Sequence, residues 1–264
     1  MAVNSPIGVF DSGLGGLSVW KEIVKALPEE SVIYYGDGLN CPYGKKKPEE
    51  VIAISEGIVR FLLDKEVKLI VIACNTATAT AVEYLRQHYP HVPFIGMEPA
   101  IKPAAEHSRT GVIGILATVN TLRGRLFRET SRRFAENVKV IPAVGEGFVR
   151  LVEENREDSP EALEAVRKAV EPLLEAGADH LVLGCTHYPF LAETIRKVIG
   201  ERDVRLVDPA PAIAHRVVEI LREKGACAIP GHRAEYAYYT SGDEKYLSRL
   251  KEKGEQVRRS GKKA

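Results

Sequence analysis

The chain has 264 residues, 45% of them apolar, 28% charged and 7% aromatic, enough to withdraw roughly 70–75% of its unfolded surface from water as a folded globule. Lysine and arginine number 37 against 36 aspartates and glutamates, so a net charge of +1 provides no domain-wide basic field for gripping a nucleic-acid backbone. No apolar run approaches the roughly 20 residues of a bilayer-spanning helix, and residues 1–13 lack the basic and apolar regions of a secretory leader; a cytoplasmic chain is expected, with neither membrane nor nucleic acid as partner.

Taken from the N-terminus, short β-branched runs alternate with segments of helical period, which predicts an α/β chain of parallel strands joined by crossover helices. A strand over 7–10 opens onto the glycine turn Asp11-Ser12-Gly13-Leu14-Gly15-Gly16 and a helix over 17–27. A strand over 32–35, the turn-rich loop Asn40-Cys41-Pro42-Tyr43-Gly44 and a helix over 49–63 follow. The strand at 69–73 runs into Cys74 and a helix over 78–88, and a short strand at 94–96 comes next. Strands at 111–116, 138–142, 181–184 and 205–207 then alternate with helices at 122–134, 148–154, 160–175 and 190–199. A helix over 212–224 and a late strand near 237–240 lead into 251–264, a basic run read as a frayed tail. Ser159-Pro160 and Asp208-Pro209 supply helix starts, and Gly177, Gly200 and Gly225 supply stops.

Two of these strands end alike. Ile70-Val71-Ile72-Ala73-Cys74-Asn75-Thr76 and Leu181-Val182-Leu183-Gly184-Cys185-Thr186-His187 match in kind through the cysteine, 111 residues apart, which points to an internal duplication. Gly8-Val9-Phe10-Asp11-Ser12 and Gly111-Val112-Ile113-Gly114-Ile115 look similar at a spacing of 103; that second likeness is read as the shared composition of buried strands.

In an open parallel sheet, ligands bind beyond the carboxyl ends of the strands, where helix N-termini favour a thiolate or a carboxylate. A single cysteine there is most simply a small buried residue. Two at equivalent places, flanked by Asn75, Thr76 and Thr186, point instead to paired acid–base chemistry on one small anionic ligand. If one thiol removes a proton from carbon and the other delivers a proton to the opposite face, the result is stereoinversion. A thiol of reference pKa about 8.5 is only a few per cent ionised at pH 7, so each sulfur needs a polar neighbour. Asp11 and His187 are the candidates, although a histidine at a helix start also commonly bonds to backbone. The four cysteines, Cys41, Cys74, Cys185 and Cys227, come without CxxC, HExxH or histidines at ligand spacing, so neither a metal site nor a disulfide framework is expected.

Two other classes compete. The glycine turn, with Asp37 about 20 residues on, invites a dinucleotide reading, but a GxGxxG frame on Gly13 and Gly15 puts Ser18 in the third glycine place, and no phosphate loop of the GxxxxGK[ST] kind occurs. A redox role for Cys74 and Cys185 would require the two to meet as a disulfide.

Taken together, FDSGLGG at 10–16, YYGD at 34–37, CPYG at 41–44, ACNTAT at 73–78, GCTHYP at 184–189 and YTSGD at 239–243 resemble, in order and over nearly the whole chain, the glutamate racemases of the cofactor-independent aspartate/glutamate racemase superfamily. The resemblance implies two similar α/β domains with mostly parallel sheets flanked by helices, related by a pseudo-symmetric duplication, with the active site in the cleft between them. It places one lobe at 1–97 plus 210–264 and the other at 98–209. It implies L- and D-glutamate as ligands, no cofactor and no metal, and a D-glutamate product used for peptidoglycan in the bacterial cell wall. Cys74 then resembles the thiol serving the D isomer and Cys185 the thiol serving the L isomer, supported by Asp11 and His187 respectively. Ser12, Tyr43 and Gly44 match binders of the side-chain carboxylate, Asn75, Thr76 and Thr186 match binders of the amino-acid end, and Thr118 and Thr121 fall where further hydroxyl contacts are usual.

Glu153 matches a glutamate near the catalytic histidine, although Gly145-Glu146 stands where a cysteine-proline is usual and Arg150 where a proline is usual; otherwise it reads as an exposed helical carboxylate beside Glu154. The resemblance further implies a homodimer. No segment precedes the first strand that would sense a cell-wall precursor, so regulation of that kind is not expected. Within the superfamily an aspartate racemase is the nearest rival, and a one-thiol decarboxylase is disfavoured by the second cysteine.

Overall fold

A computed structural model describes residues 2–98, 100–134 and 137–260. The chain divides into two compact units, residues 1–97 with 210–264 and residues 98–209. In chain order the first builds β1 (Ile7–Asp11), α1 (Leu17–Ala26), β2 (Val32–Gly36), α2 (Pro48–Asp64), β3 (Leu69–Ile72), α3 (Asn75–His88) and β4 (Phe94–Gly96). The second contains α4 (Ile101–His107), β5 (Val112–Ala117), α5 (Val119–Arg123), α6 (Arg125–Phe134), β6 (Lys139–Val144), α7 (Phe148–Glu153), α8 (Pro160–Glu175), β7 (His180–Gly184), α9 (Ala192–Ile199) and β8 (Arg205–Val207). The return to the first unit supplies α10 (Ala210–Glu223), β9 (Tyr236–Thr240) and α11 (Glu244–Ser260). Single 3-10 turns stand at Tyr43–Lys45 and Tyr188–Leu191.

Both sheets are wholly parallel, in the orders β4-β3-β1-β2-β9 and β6-β5-β7-β8. The connectivity repeats: in each unit the second strand flanks the first on one side, the third on the other, and the fourth lies outside the third. β9 is the addition. Strands β1, β3 and β7 are buried at every residue, which explains their unbroken apolar runs, since helices cover both faces. In the first unit Phe10, Ile72, Leu62 and Leu85 build the core on the side of α2 and α3. In the second, Leu173, Leu183, Tyr188 and Ile195 fill the side of α7 to α9, and Ile101, Ile113 and Val182 the side of α4.

Backbone bonds fix how the halves correspond. Asp37 N–H donates to the Asp11 carbonyl at 3.0 Å and Gly145 N–H to that of Ala117 at 3.4 Å; Lys68 N–H donates to Pro6 and Asp179 N–H to Val112. Asp11 thus corresponds to Ala117, Ser12 to Thr118 and Cys74 to Cys185. The likeness of Gly8-Val9-Phe10 to Gly111-Val112-Ile113 is therefore one of composition, as read, because Gly8 corresponds to Gly114; the strands themselves hold equivalent places in the two units at this other register. A Cβ on Gly8 would meet Leu62 of α2 at 3.2 Å, and one on Gly114 would meet Leu173 of α8 at 2.8 Å. In each unit the absent side chain lets the same helix lie against the same strand. The stretch between first strand and cysteine is longer in the second half, so no single offset aligns the two halves.

The basic run at 251–264 was expected to fray. Instead α11 extends to Ser260, with Leu250 fully buried and Val257 nearly so, while residues 261–264 lie outside the described residues. A Cβ on Gly254 would stand 2.6 Å from the Tyr238 hydroxyl, so this glycine lets the helix close on β9. Only a narrow apolar stripe carries the contact, and the surrounding lysines and arginines mask it in the sequence. The helix expected over 122–134 is divided at Gly124, whose extended ψ of 150° separates α5 from α6. Helix α4 lacked a sequence expectation altogether.

Candidate active site

In the first unit the carboxyl ends of β1 and β3 bring Asp11, Ser12 and Cys74 together. Asp11 is fully buried and its Oδ2 accepts the Gly13 N–H at 2.9 Å, while the Tyr34 hydroxyl donates to the Gly13 carbonyl at 2.8 Å and holds the glycine turn. Cys74 is the N-cap of α3: its sulfur accepts the Ala77 N–H at 3.4 Å, and its thiol lies 3.8 Å from Ser12 Oγ. The helix thus begins three residues earlier than the periodicity suggested, which points N–H groups at the sulfur and favours its thiolate. Asn75 follows, only 3% exposed, and neither its Oδ1 nor its Nδ2 has a hydrogen-bond partner. Each unmet buried polar atom costs about 1–3 kcal/mol, and a partner at this amide would recover that cost.

Asp37, also buried, is the hub of the adjoining loop. Its Oδ2 accepts the Tyr43 hydroxyl at 2.5 Å, both oxygens accept Asn40 Nδ2 at 3.0 and 3.1 Å, and Oδ1 accepts the Ser241 hydroxyl. Burial, reinforced by the Asp37 carboxylate, pushes the Tyr43 phenol far above its usual value and keeps it a donor. With its oxygens so engaged, Asp37 cannot serve as the ribose acceptor that a dinucleotide site needs. Tyr43 and the half-buried Gly44 lie in the 3-10 turn after this loop.

In the second unit Cys185 follows β7 directly, with a 3-10 turn and not an α-helix beyond it. Its sulfur lies 3.9 Å from His187 Nδ1, and His187 Nε2 lies 2.7 Å from Glu153 Oε1. His187 is 1% exposed. With the proton on the nitrogen facing Glu153, Nδ1 presents a lone pair to the thiol; protonated, the ring donates to a thiolate. Tyr188 packs edge-on to Phe148 with centroids 5.0 Å apart, and burial together with nearby Cys185 pushes its phenol up. Thr186 is buried beside Cys185. Thr118 caps α5 by accepting the Thr121 N–H at 3.3 Å, with the two hydroxyls 3.0 Å apart.

Each unit therefore carries a buried thiol at an equivalent strand end, with polar side chains beside it, the equipment for moving a proton at a carbon centre. All four cysteines are free thiols. The model of the Asp/Glu/hydantoin racemase family matches residues 7–217. The chain belongs to that family of enzymes. A glutamate racemase from Roseiflexus sp. (strain RS-1) is 47% identical over 83% of this chain and 80% of its own. The crystal structure of a Bacillus anthracis glutamate racemase superposes with a TM-score of 0.85 at 35% identity, covering 94% of this chain and 92% of that one. A Francisella tularensis glutamate racemase solved in complex with D-glutamate superposes at 0.83 with 28% identity, covering 97% and 94%. As in other members of this racemase family, two α/β units make up the chain, and among the described residues no helix is long and apolar enough to cross a membrane.

Sequence reasoning missed the Asp37 hub. Ser241 lies 204 residues from Asp37, and although its motif stood out, nothing local shows what its hydroxyl meets.

Proposed function

We propose that the protein interconverts L- and D-glutamate by passing the α-proton between Cys74 and Cys185. One observation carries this reading: the thiols leave equivalent strands of a duplicated fold at the same place, each with its own polar neighbours. From L-glutamate, Cys185 as thiolate takes the α-proton, the C–H electron pair passes into the carboxylate-stabilised carbanion, and the Cys74 thiol returns a proton to the opposite face. The roles exchange for D-glutamate. His187, oriented by Glu153, receives or lends the proton that poises Cys185, and Asp11 supports Cys74. Asn75, Thr76 and Thr186 hold the amino-acid end, the unmet amide of Asn75 being the clearest support. Ser12 and the main chain at Tyr43 and Gly44 hold the side-chain carboxylate, and Thr118 and Thr121 add hydroxyls. No cofactor takes part. The α-proton is weakly acidic, so water must be excluded and the carbon fixed between the sulfurs. The enzyme works as a cytoplasmic homodimer whose D-glutamate enters peptidoglycan.

The test is direct. Pure L-glutamate incubated with the protein and no additive loses its circular dichroism to zero, and in heavy water deuterium enters the α-carbon; aspartate treated alike is unchanged. A C74A or C185A variant that racemises at the wild-type rate would falsify the two-thiol mechanism.

A further inference from the structure

Glu153 reaches His187 from the last residue of α7, a helix of six residues. So short a helix is not stable by itself; its neighbours must set where its final side chain points. Phe148, Leu151 and Val152 are buried on the inner face, and Asn155 ends the helix at a φ of 52°, with Arg156 N–H donating back to the Leu151 carbonyl at 2.8 Å. The outer face is closed differently. Arg150 donates to Glu154 Oε2 at 3.0 Å and to Glu161; Arg156 donates to the same Glu154 oxygen at 3.2 Å and to Glu161 Oε2 at 2.5 Å. Each arginine thus holds both glutamates, and the four side chains form a ring that ties the last turn of α7 to the first turn of α8. An isolated exposed ion pair holds little, whereas a closed network restrains all its members together.

We infer that the ring of Arg150, Glu154, Arg156 and Glu161 positions Glu153 against His187 and so sets the rate of proton transfer at Cys185. None of the four touches substrate; they are positioning residues, and the inference rests on the racemase reading above. Positioning separates from a simple electrostatic influence on Glu153, because R150A removes a positive charge and E161Q a negative one. A field effect drives their kcat values in opposite directions, whereas loss of the ring lowers both.

The experiment measures kcat and KM for L-glutamate in R150A, E161Q, R150K and E153Q, and in the doubles R150A/E153Q and E161Q/E153Q, with far-UV circular dichroism confirming the fold. R150A and E161Q each lower kcat about two- to fivefold, the small scale of surface charge networks, with KM within about twofold, and R150K recovers part of the loss. In the E153Q background neither substitution has further effect, since the ring acts only through that carboxylate. If E153Q is too slow to time, the His187 ring resonances of the resting protein give the readout: R150A and E161Q shift them in the direction that E153Q does. Wild-type kcat in R150A and E161Q, changes of opposite sign, undiminished losses in the E153Q background, or an E153Q as fast as wild type each overturn the inference. Failure of the wild-type protein to racemise glutamate is a separate result, overturning the substrate reading before any variant is compared.

Discussion

The Cys74 and Cys185 sites share one scaffold and differ in what surrounds the sulfur. Strand order, strand register and the residue before each helix or turn correspond, yet the position of Asp11 is Ala117 in the second unit, and the position of His187 is Thr76 in the first. Cys74 caps an α-helix and accepts a main-chain N–H, while Cys185 precedes a 3-10 turn and meets an imidazole backed by Glu153. The thiols thus occupy corresponding places, while the polar groups beside them come from different strands in the two units. One sulfur stands at a helix N-terminus and accepts its N–H, and the other stands beside an imidazole–carboxylate pair.

The largest expected effect tests the equivalence itself: C74A and C185A each lower kcat by about a thousandfold or more, since a proton acceptor or donor on one face is lost outright, as read by circular dichroism of either enantiomer. Next in size, D11N and H187N each lower kcat about a hundredfold. They sharpen the comparison when α-deuterated substrates are used: H187N enlarges the isotope effect on L-glutamate more than on D-glutamate, and D11N does the reverse. Equal enlargement in both variants contradicts the assignment of one support to each thiol.

Smaller effects follow from Asp37, whose counterpart Gly145 has no side chain to form a hub. D37N replaces one of the two acceptor oxygens by an NH2 donor, so the hydroxyl of Tyr43 or of Ser241 loses its acceptor; it raises KM for glutamate about tenfold by loosening the loop at Tyr43 and Gly44, at about 1–3 kcal/mol of stability. Unaltered KM removes the loop from substrate binding. The smallest effect concerns the far ends of the cysteine strands, where the counterparts Lys68 and Asp179 bear opposite charge. Lys68 pairs with Glu30 at 2.5 Å. Burial alone would raise the Asp179 carboxyl, but hydrogen bonds from His180, Ser108 and the N–H groups of Arg109 and Thr110 outweigh it and hold the group well below the usual carboxylate range. A depressed folded-state pKa contributes stability that is complete above the unfolded value of about 3.9 and is lost as pH falls through the folded one. D179N therefore costs about 2 kcal/mol at pH 7 by chemical denaturation, and its deficit narrows as the solution is acidified into that range; a deficit independent of pH rules out the ionised carboxylate as its source.

Much of the fold was legible because buried parallel strands leave unbroken apolar runs such as Leu69 to Ile72, and all nine strands stand within a residue or two of their expected places. What escaped was set by contacts distant in sequence. Helix α11 holds through Leu250, Val257 and the close approach of Gly254 to Tyr238, a stripe too thin to register among its charges. The correspondence of β1 with β5 was hidden by unequal connections. At the candidate site the two cysteine motifs were readable as local strings, and Glu153 was placed near His187 only through the family resemblance, since the two are 34 residues apart; the approach of Ser241 to Asp37, across 204 residues, went unread.

By itself, then, the order of residues determined the α/β class, the places of the strands and the pair of thiols at their ends, because those depend on short-range periodicity and on chemistry confined to a few neighbouring positions. Only the tertiary structure decided that the first strands of the two halves answer to one another with Gly8 at Gly114, that Tyr34 holds the glycine turn, and that Asp37 braces a loop. Each of those depends on the hydrogen-bonded register between strands and on packing across the sheet, and no local stretch of chain contains either.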